Sequence, residues 1–219
     1  MEITPPSVTA KKIQWIYYFA GLFIMPLGVI LMINSRLGPP PLASLSANIA
    51  ILFPITLGTA AFLLQTLIVL IVMVYFKELK SILIFVSGTL LGFGLDFWDL
   101  IVLNDFFPEG ITLQLLSFFS GLFVISFGQN LVRFSKFKAT PMLEYMKLYQ
   151  SVFKTENIFY SRLSVEGSIL IISMVFALLG GLGLGTIDVG TFILLIGMPT
   201  FLHLQNVWMA PIFALKKVS

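Results

Sequence analysis

Chemistry has few places to reside in this chain, because three small polar groups are set inside long apolar runs. Asp96 and Asp99 lie three residues apart in the run 82–103, a spacing that puts both carboxylates on one helix face. Arg162 and Glu166 are four apart, the spacing of an ion pair along a helix. His203, Gln205 and Asn206 cluster near the end of the last apolar run. Acids buried at such depth are costly and are kept where they face protein or water, so Asp96 and Asp99 read as a cation or proton site. The competing reading has them near the interface and reaching outward, with Trp98 as an anchor. Arg162 and Glu166 read as a transport pair or as a clamp that fixes the fifth span to its preceding loop. His203 reads as half of a proton relay, or as a histidine satisfied by a backbone carbonyl between packed helices. Setting Gly92 against Gly197 puts Asp96 opposite Phe201, two residues from His203.

Several chemistries are excluded or disfavoured. There are no cysteines and one histidine, so disulfides and thiolate metal sites are ruled out and little is left for a metal cage. No nucleophile–base pair is apparent, so no catalytic residue, cofactor or enzymatic activity is expected. The run Gly180, Gly181, Gly183, Gly185 and Thr186 is no dinucleotide fingerprint, because no strand precedes it in a βαβ unit. It predicts a close turn, with Thr186 as the N-cap of the sixth span. Free amides in that turn attract an anion, and Asp188 beside them repels one. Gln65, Gln129 and Asn130 are expected to tie helices together.

The elements that position these residues follow from composition. Hydrophobic residues are 58 % of 219, charged residues only 11 %, and mean hydropathy is +1.01, whereas a soluble domain carries about a quarter charged residues. About twenty apolar residues suffice to cross a bilayer core. The predicted spans are 15–34, 57–76, 82–103, 112–132, about 163–179 and 187 to about 213. Three prolines at 39–41 end the first span's helix, and segment 42–53 is too short to cross, which suits a re-entrant or interfacial helix. Residues 140–154 read as an amphipathic helix at the membrane surface. Lysines and arginines collect on the cytoplasmic side of membrane proteins. With the N-terminus inside, Lys11, Lys12, Lys77, Lys80, Arg133, Lys136, Lys138, Lys147, Lys154, Arg162, Lys216 and Lys217 lie inside and Arg36 alone lies outside. Both termini are therefore expected in the cytoplasm.

Residues 21–41 also align with 121–141 at an offset of one hundred without a gap. Gly21, Leu22, Phe23, Gly28, Leu31, Ser35 and Pro41 are identical to Gly121, Leu122, Phe123, Gly128, Leu131, Ser135 and Pro141. Such self-similarity marks an internal repeat. Three crossings separate equivalent points, and three is odd, so the second copy is expected upside down relative to the first. The two units are about 13–104 and about 112–213. The expected fold is an all-α polytopic membrane protein of six transmembrane helices in two inverted three-helix repeats, each with a short non-spanning segment after its first helix. All of it forms one membrane domain over 1–219.

Particular residues carry a family resemblance. Arg162 and Glu166, the glycine run from Gly180 to Thr186, and Gly197, Met198 and Pro199 are similar to the second-half signature of bacterial YczE/YyaS/YitT-type integral membrane proteins. Leu37, Gly38 and Pro41, with Gly92 and Asp96 later, resemble that family's first half. Members often carry an aromatic or basic residue and an acid directly after each half's proline, where this chain has Leu42-Ala43 and Met142-Leu143. The resemblance implies a multi-pass protein of the bacterial cell membrane.

Inverted repeats with broken segments are characteristic of transporters, with sites between the halves. The expected function is a small-solute or ion transporter or channel. The alternative is a non-enzymatic accessory protein that scaffolds a partner through its basic cytoplasmic loop. The expected partners are the lipid bilayer and a small solute or ion, with a cytoplasmic protein or a second copy of the chain left open and nucleic acid not expected.

Overall fold

The computed structural model describes residues 8–77, 82–137, 140–155 and 157–213. They form eight α-helices: α1 Val8–Asn34, α2 Pro41–Leu52, α3 Leu57–Phe76, α4 Ile82–Phe97, α5 Ile111–Phe134, α6 Pro141–Phe153, α7 Ile158–Leu179 and α8 Val189–Phe213. A π-helical turn, Trp98–Val102, extends α4. Among the described residues there is no strand. Six helices (α1, α3, α4 with its π turn, α5, α7 and α8) are long and apolar enough to cross a bilayer, the architecture of a polytopic membrane protein. The turn at 78–81 and the basic residues Lys80, Lys138, Lys216 and Lys217 lie outside the described residues.

Three helix starts differ clearly from the sequence reading. Helix α1 begins at Val8 rather than 15, inside what reads as a polar lead. The fifth span begins at Ile158 rather than near 163, because Asn157 caps it: the Tyr160 amide donates to Asn157 Oδ1 at 3.2 Å. The charge of Arg162 reads as a boundary in sequence, yet Glu166 answers it inside the helix. The last span begins at Val189 rather than 187. Thr186 does not cap it, since its amide donates to Asn48 Oδ1 at 2.9 Å and its hydroxyl to the Ser44 carbonyl at 3.2 Å. Asp188 sits at the mouth of α8 instead, accepting from the Val189 amide at 2.6 Å. The glycine run serves the turn as expected. Gly181, Gly183 and Gly185 all have φ between +63° and +73°, a region closed to most side chains, and a Cβ on Gly185 would strike Asn48.

The core of the molecule is the antiparallel crossing of α1 and α5. Gly21 faces Gly128, and Gly28 faces Gly121. A Cβ built on Gly28 would lie 2.6 Å from the Gly121 carbonyl oxygen, and one on Gly121 2.6 Å from that of Gly28. Small residues at spacing seven let the two backbones touch, which is how membrane helices gain packing without a hydrophobic drive between them. Around this contact Tyr18, Leu22, Met25, Phe118, Ile125 and Met198 are buried together.

Each of these two helices ends in the same way. Ser35 Oγ donates to the Met32 carbonyl at 2.6 Å and accepts from the Leu37 amide at 3.2 Å. Ser135 Oγ donates to the Val132 carbonyl at 2.6 Å and accepts from the Phe137 amide at 3.2 Å. Arg36 and Lys136 follow in the left-handed region, at φ 59° and 58°. Lys77 and Lys154 adopt it too, after α3 and α6. All four put a cation just past a helix C-terminus, where it complements the helix dipole.

Pro41 and Pro141 then open the short helices α2 and α6, and both are buried. Proline suits a first helical position, where its missing N–H costs nothing. Helix α2 packs on α7 and α3, and α6 packs on α3 and α7. The amphipathic helix α6 is thus docked into the bundle: Met146 is buried with Leu45, Val165 and Ile169, while Lys147 stays exposed and pairs with Glu144 at 2.6 Å.

Candidate functional site

A cavity of about 180 Å³ lies where the short helices meet the α1–α5 crossing, and all eight helices contribute to its wall. Most of the lining is apolar, with Met25, Met142, Met146 and Met198 prominent. Thioether chains are flexible and polarisable, so such a wall adapts to varied apolar shapes. The polar part of the wall includes Gln65, Asn130, Arg133, Arg162 and Glu166.

The Arg162–Glu166 pair is the charged centre of this wall. Arg162 Nε donates to Glu166 Oε1 at 2.7 Å. Glu166 is 5 % exposed, and its second oxygen, Oε2, is buried without a hydrogen-bond partner. Taking two charges out of water costs several kcal/mol each unless every lone pair is answered. This pair leaves one oxygen unanswered, so its arrangement is not explained by stability alone. Gln65 holds the nearly matching place in the first half, at an offset of 101, and is also buried.

The other predicted site residues lie elsewhere. Asp96 does not line the cavity. Its Oδ1 accepts from the Gly58 amide and its Oδ2 from the Thr56 hydroxyl, both at 2.7 Å. The carboxylate therefore caps the N-terminus of α3 from the neighbouring helix and meets the positive end of its dipole. Asp99 is half-buried in the π-helical turn, also away from the cavity. His203 is exposed on α8 beside Leu204 and lies outside the cavity wall. Gln205 is a tie between helices: its Nε2 donates to the Phe123 carbonyl at 3.2 Å and its Oε1 accepts from Asn130 Nδ2 at 3.3 Å. Asn206 is half-buried, with Oδ1 lacking a partner. Of the candidates, only Arg162 and Glu166 come together at the cavity.

Two features escaped the sequence reading. Asn48 is fully buried in α2 and links it to α7 through Ser173 Oγ at 3.0 Å and to the glycine turn through Thr186. The signal available was a lone asparagine in a twelve-residue apolar helix. Arg133, in sequence one of the basic residues that set orientation, also belongs to the cavity wall.

A model of DUF6198, described as a family of unknown function, matches residues 12–206. The chain belongs to that family. Its match runs from the first span to Asn206 and takes in every residue of the cavity wall. The chain is also similar to "Uncharacterized protein YyaS" of Bacillus subtilis (strain 168), at 25 % identity over 174 residues, covering 80 % of this chain and 85 % of that one. This agrees with the resemblance carried by the glycine run and the Arg162 and Glu166 positions. No solved structure matches the chain significantly.

Proposed function

We propose that this membrane protein is a small-solute or ion transporter or channel whose pathway runs between two inverted halves. The observation that carries the reading is the cavity itself, walled by all eight helices and centred on a buried ion pair with one unsatisfied oxygen. Inversion is supported by the form of the α1–α5 contact. In a two-fold arrangement, a contact of residue i with j of the other copy is matched by j with i of the other copy. Gly21 with Gly128 and Gly28 with Gly121 have that reciprocity, and α2 on α7 is matched by α6 on α3. The two short helices then enter the bundle from opposite faces, as broken segments do in transporters of this kind. In this reading the protein is not an enzyme, lies in the bacterial cell membrane, and keeps both termini in the cytoplasm.

Flux into proteoliposomes tests the proposal. With protons, sodium and a panel of labelled small metabolites, at least one species enters faster than into protein-free vesicles. Glu166→Gln abolishes that entry, and Asp96→Asn retains it to the extent that the protein stays folded. If no species enters faster, the transport reading fails and the accessory role gains. A stoichiometric partner lost on deleting residues 140–154 is then the expected finding in native membranes.

A further inference from the structure

The groups around the cavity are of both signs, and they narrow the chemistry of what it holds. The N-termini of α2 and α6 both reach it, through Leu42 and Ala43 on one side and Met142 and Leu143 on the other. Neither helix has a side-chain cap at that end. Uncapped N-termini present amides and the positive end of the helix dipole, which favour an anionic group; in α6 the Leu143 amide is already taken by the Thr140 carbonyl at 3.0 Å, so that end offers the amide of Met142. Arg162, with its Nε on Glu166, and the largely exposed Arg133 at the end of α5 add two cations to the same wall, and a guanidinium keeps a planar fork of donors suited to a carboxylate. The acid in the first turn of α6, Glu144, is occupied by Lys147 at 2.6 Å and does not line the cavity. Against these stands Glu166, 5 % exposed, with Oε2 still lacking a donor.

We infer that the cavity binds a small zwitterion with an aliphatic body, of the chemistry of an apolar α-amino acid. The inference rests on the same cavity as the transport reading and names what would pass through it. The carboxylate lies toward the two helix ends and the arginines. The ammonium supplies the hydrogen bond that Glu166 Oε2 lacks, and the aliphatic body lies against Met142, Met146 and Met198. A plain carboxylate leaves Glu166 unanswered. An alkylammonium leaves two helix ends without an anion.

Ligand-induced thermal stabilisation of the detergent-purified full chain tests this, with alanine, valine, leucine and methionine as probes. Two analogues of leucine each lack one charge: 4-methylpentanoate and 3-methylbutylamine. At least one amino acid is expected to raise Tm in a concentration-dependent way. Both one-charge analogues are expected to bind at least tenfold more weakly than leucine. Glu166→Gln weakens amino-acid binding at least tenfold and does not weaken binding of 4-methylpentanoate, because the acid that a plain carboxylate leaves unanswered is gone. If that variant does not fold, the analogue comparison on the unaltered protein decides. Either analogue binding as well as leucine, or no shift with any of the four amino acids, overturns the inference. Amino-acid binding without uptake by proteoliposomes supports the zwitterion site and defeats the transport reading. Uptake of other solutes with no amino-acid binding does the reverse.

Discussion

The α3–α4 and α7–α8 pairs hold corresponding places after the two short helices, yet they are joined very differently. In the first pair the backbones touch: a Cβ on Gly92 would lie 2.8 Å from the Gly58 carbonyl oxygen, and Asp96 grips the start of α3. In the second pair contact is sparse. Gly167 and Gly197 have nothing within 4 Å of a built Cβ. The polar ties of that half run elsewhere, from α7 to α2 through Ser173 and from α8 to α5 through Gln205. The difference shows which seam of the bundle is fastened. The α3–α4 seam is closed by glycine contact and a charged cap, whereas α7 and α8 are each held by a third helix and hardly by one another. Both residues of the cavity's ion pair, Arg162 and Glu166, belong to the loosely joined side.

The contrast is open to attack by substitution, with stability followed by thermal unfolding in detergent. The largest effect is expected from Gly92→Leu, which must push α3 and α4 apart. Overpacking of this kind costs about 1–3 kcal/mol or more, while Gly197→Leu, with open space around it and leucine a better helix former than glycine, is expected to cost nothing. Equal losses from the two variants would erase the distinction between the seams. Next comes Asp96→Ala, which removes two charge-assisted hydrogen bonds and a dipole partner. Loss of such bonds costs about 1.5–3 kcal/mol, against a negligible change for His203→Ala, and a silent Asp96→Ala would mean that the cap does not fasten α3. The smallest effect has the opposite sign. Gly167→Ala and Gly197→Ala fill open space in helix interiors, where alanine is favoured over glycine by about 1 kcal/mol. Each is expected to raise Tm by a few degrees, and a fall would show that those positions pack more closely than described.

Sequence alone carried the membrane architecture well, because a span is a matter of length and apolarity over one stretch. Pro41 and Pro141 also announced the short helices correctly, since proline's effect on a helix start is local. The site was legible only in part. Arg162 and Glu166 pair within one helix, so their spacing revealed the pair, although nothing in the spacing revealed a cavity. Asp96 looked like an intramembrane acid in need of a ligand because its partners, Thr56 and Gly58, lie 40 and 38 residues away. The periodicity of α6 fits a helix flat on a membrane as well as one docked by a single face. The burial of Met146 against α2 and α7, with the packing of α6 on α3, separates the two.

Asn48 has a consequence for biogenesis. Its side-chain partners, Ser173 and Thr186, lie 125 and 138 residues further along the chain. During synthesis α2 is made early, carrying an amide that the finished protein buries completely, and nothing in the first half answers it. A bare amide in a lipid interior is costly, so α2 has no reason to settle into its final place until α7 and the glycine turn have emerged. Insertion of the first half is therefore provisional. A chain arrested before residue 173 is expected to leave α2 accessible to water-soluble thiol reagents through an introduced Leu45→Cys, which keeps Asn48 in place, and the completed chain, in which position 45 is buried, is expected to protect it.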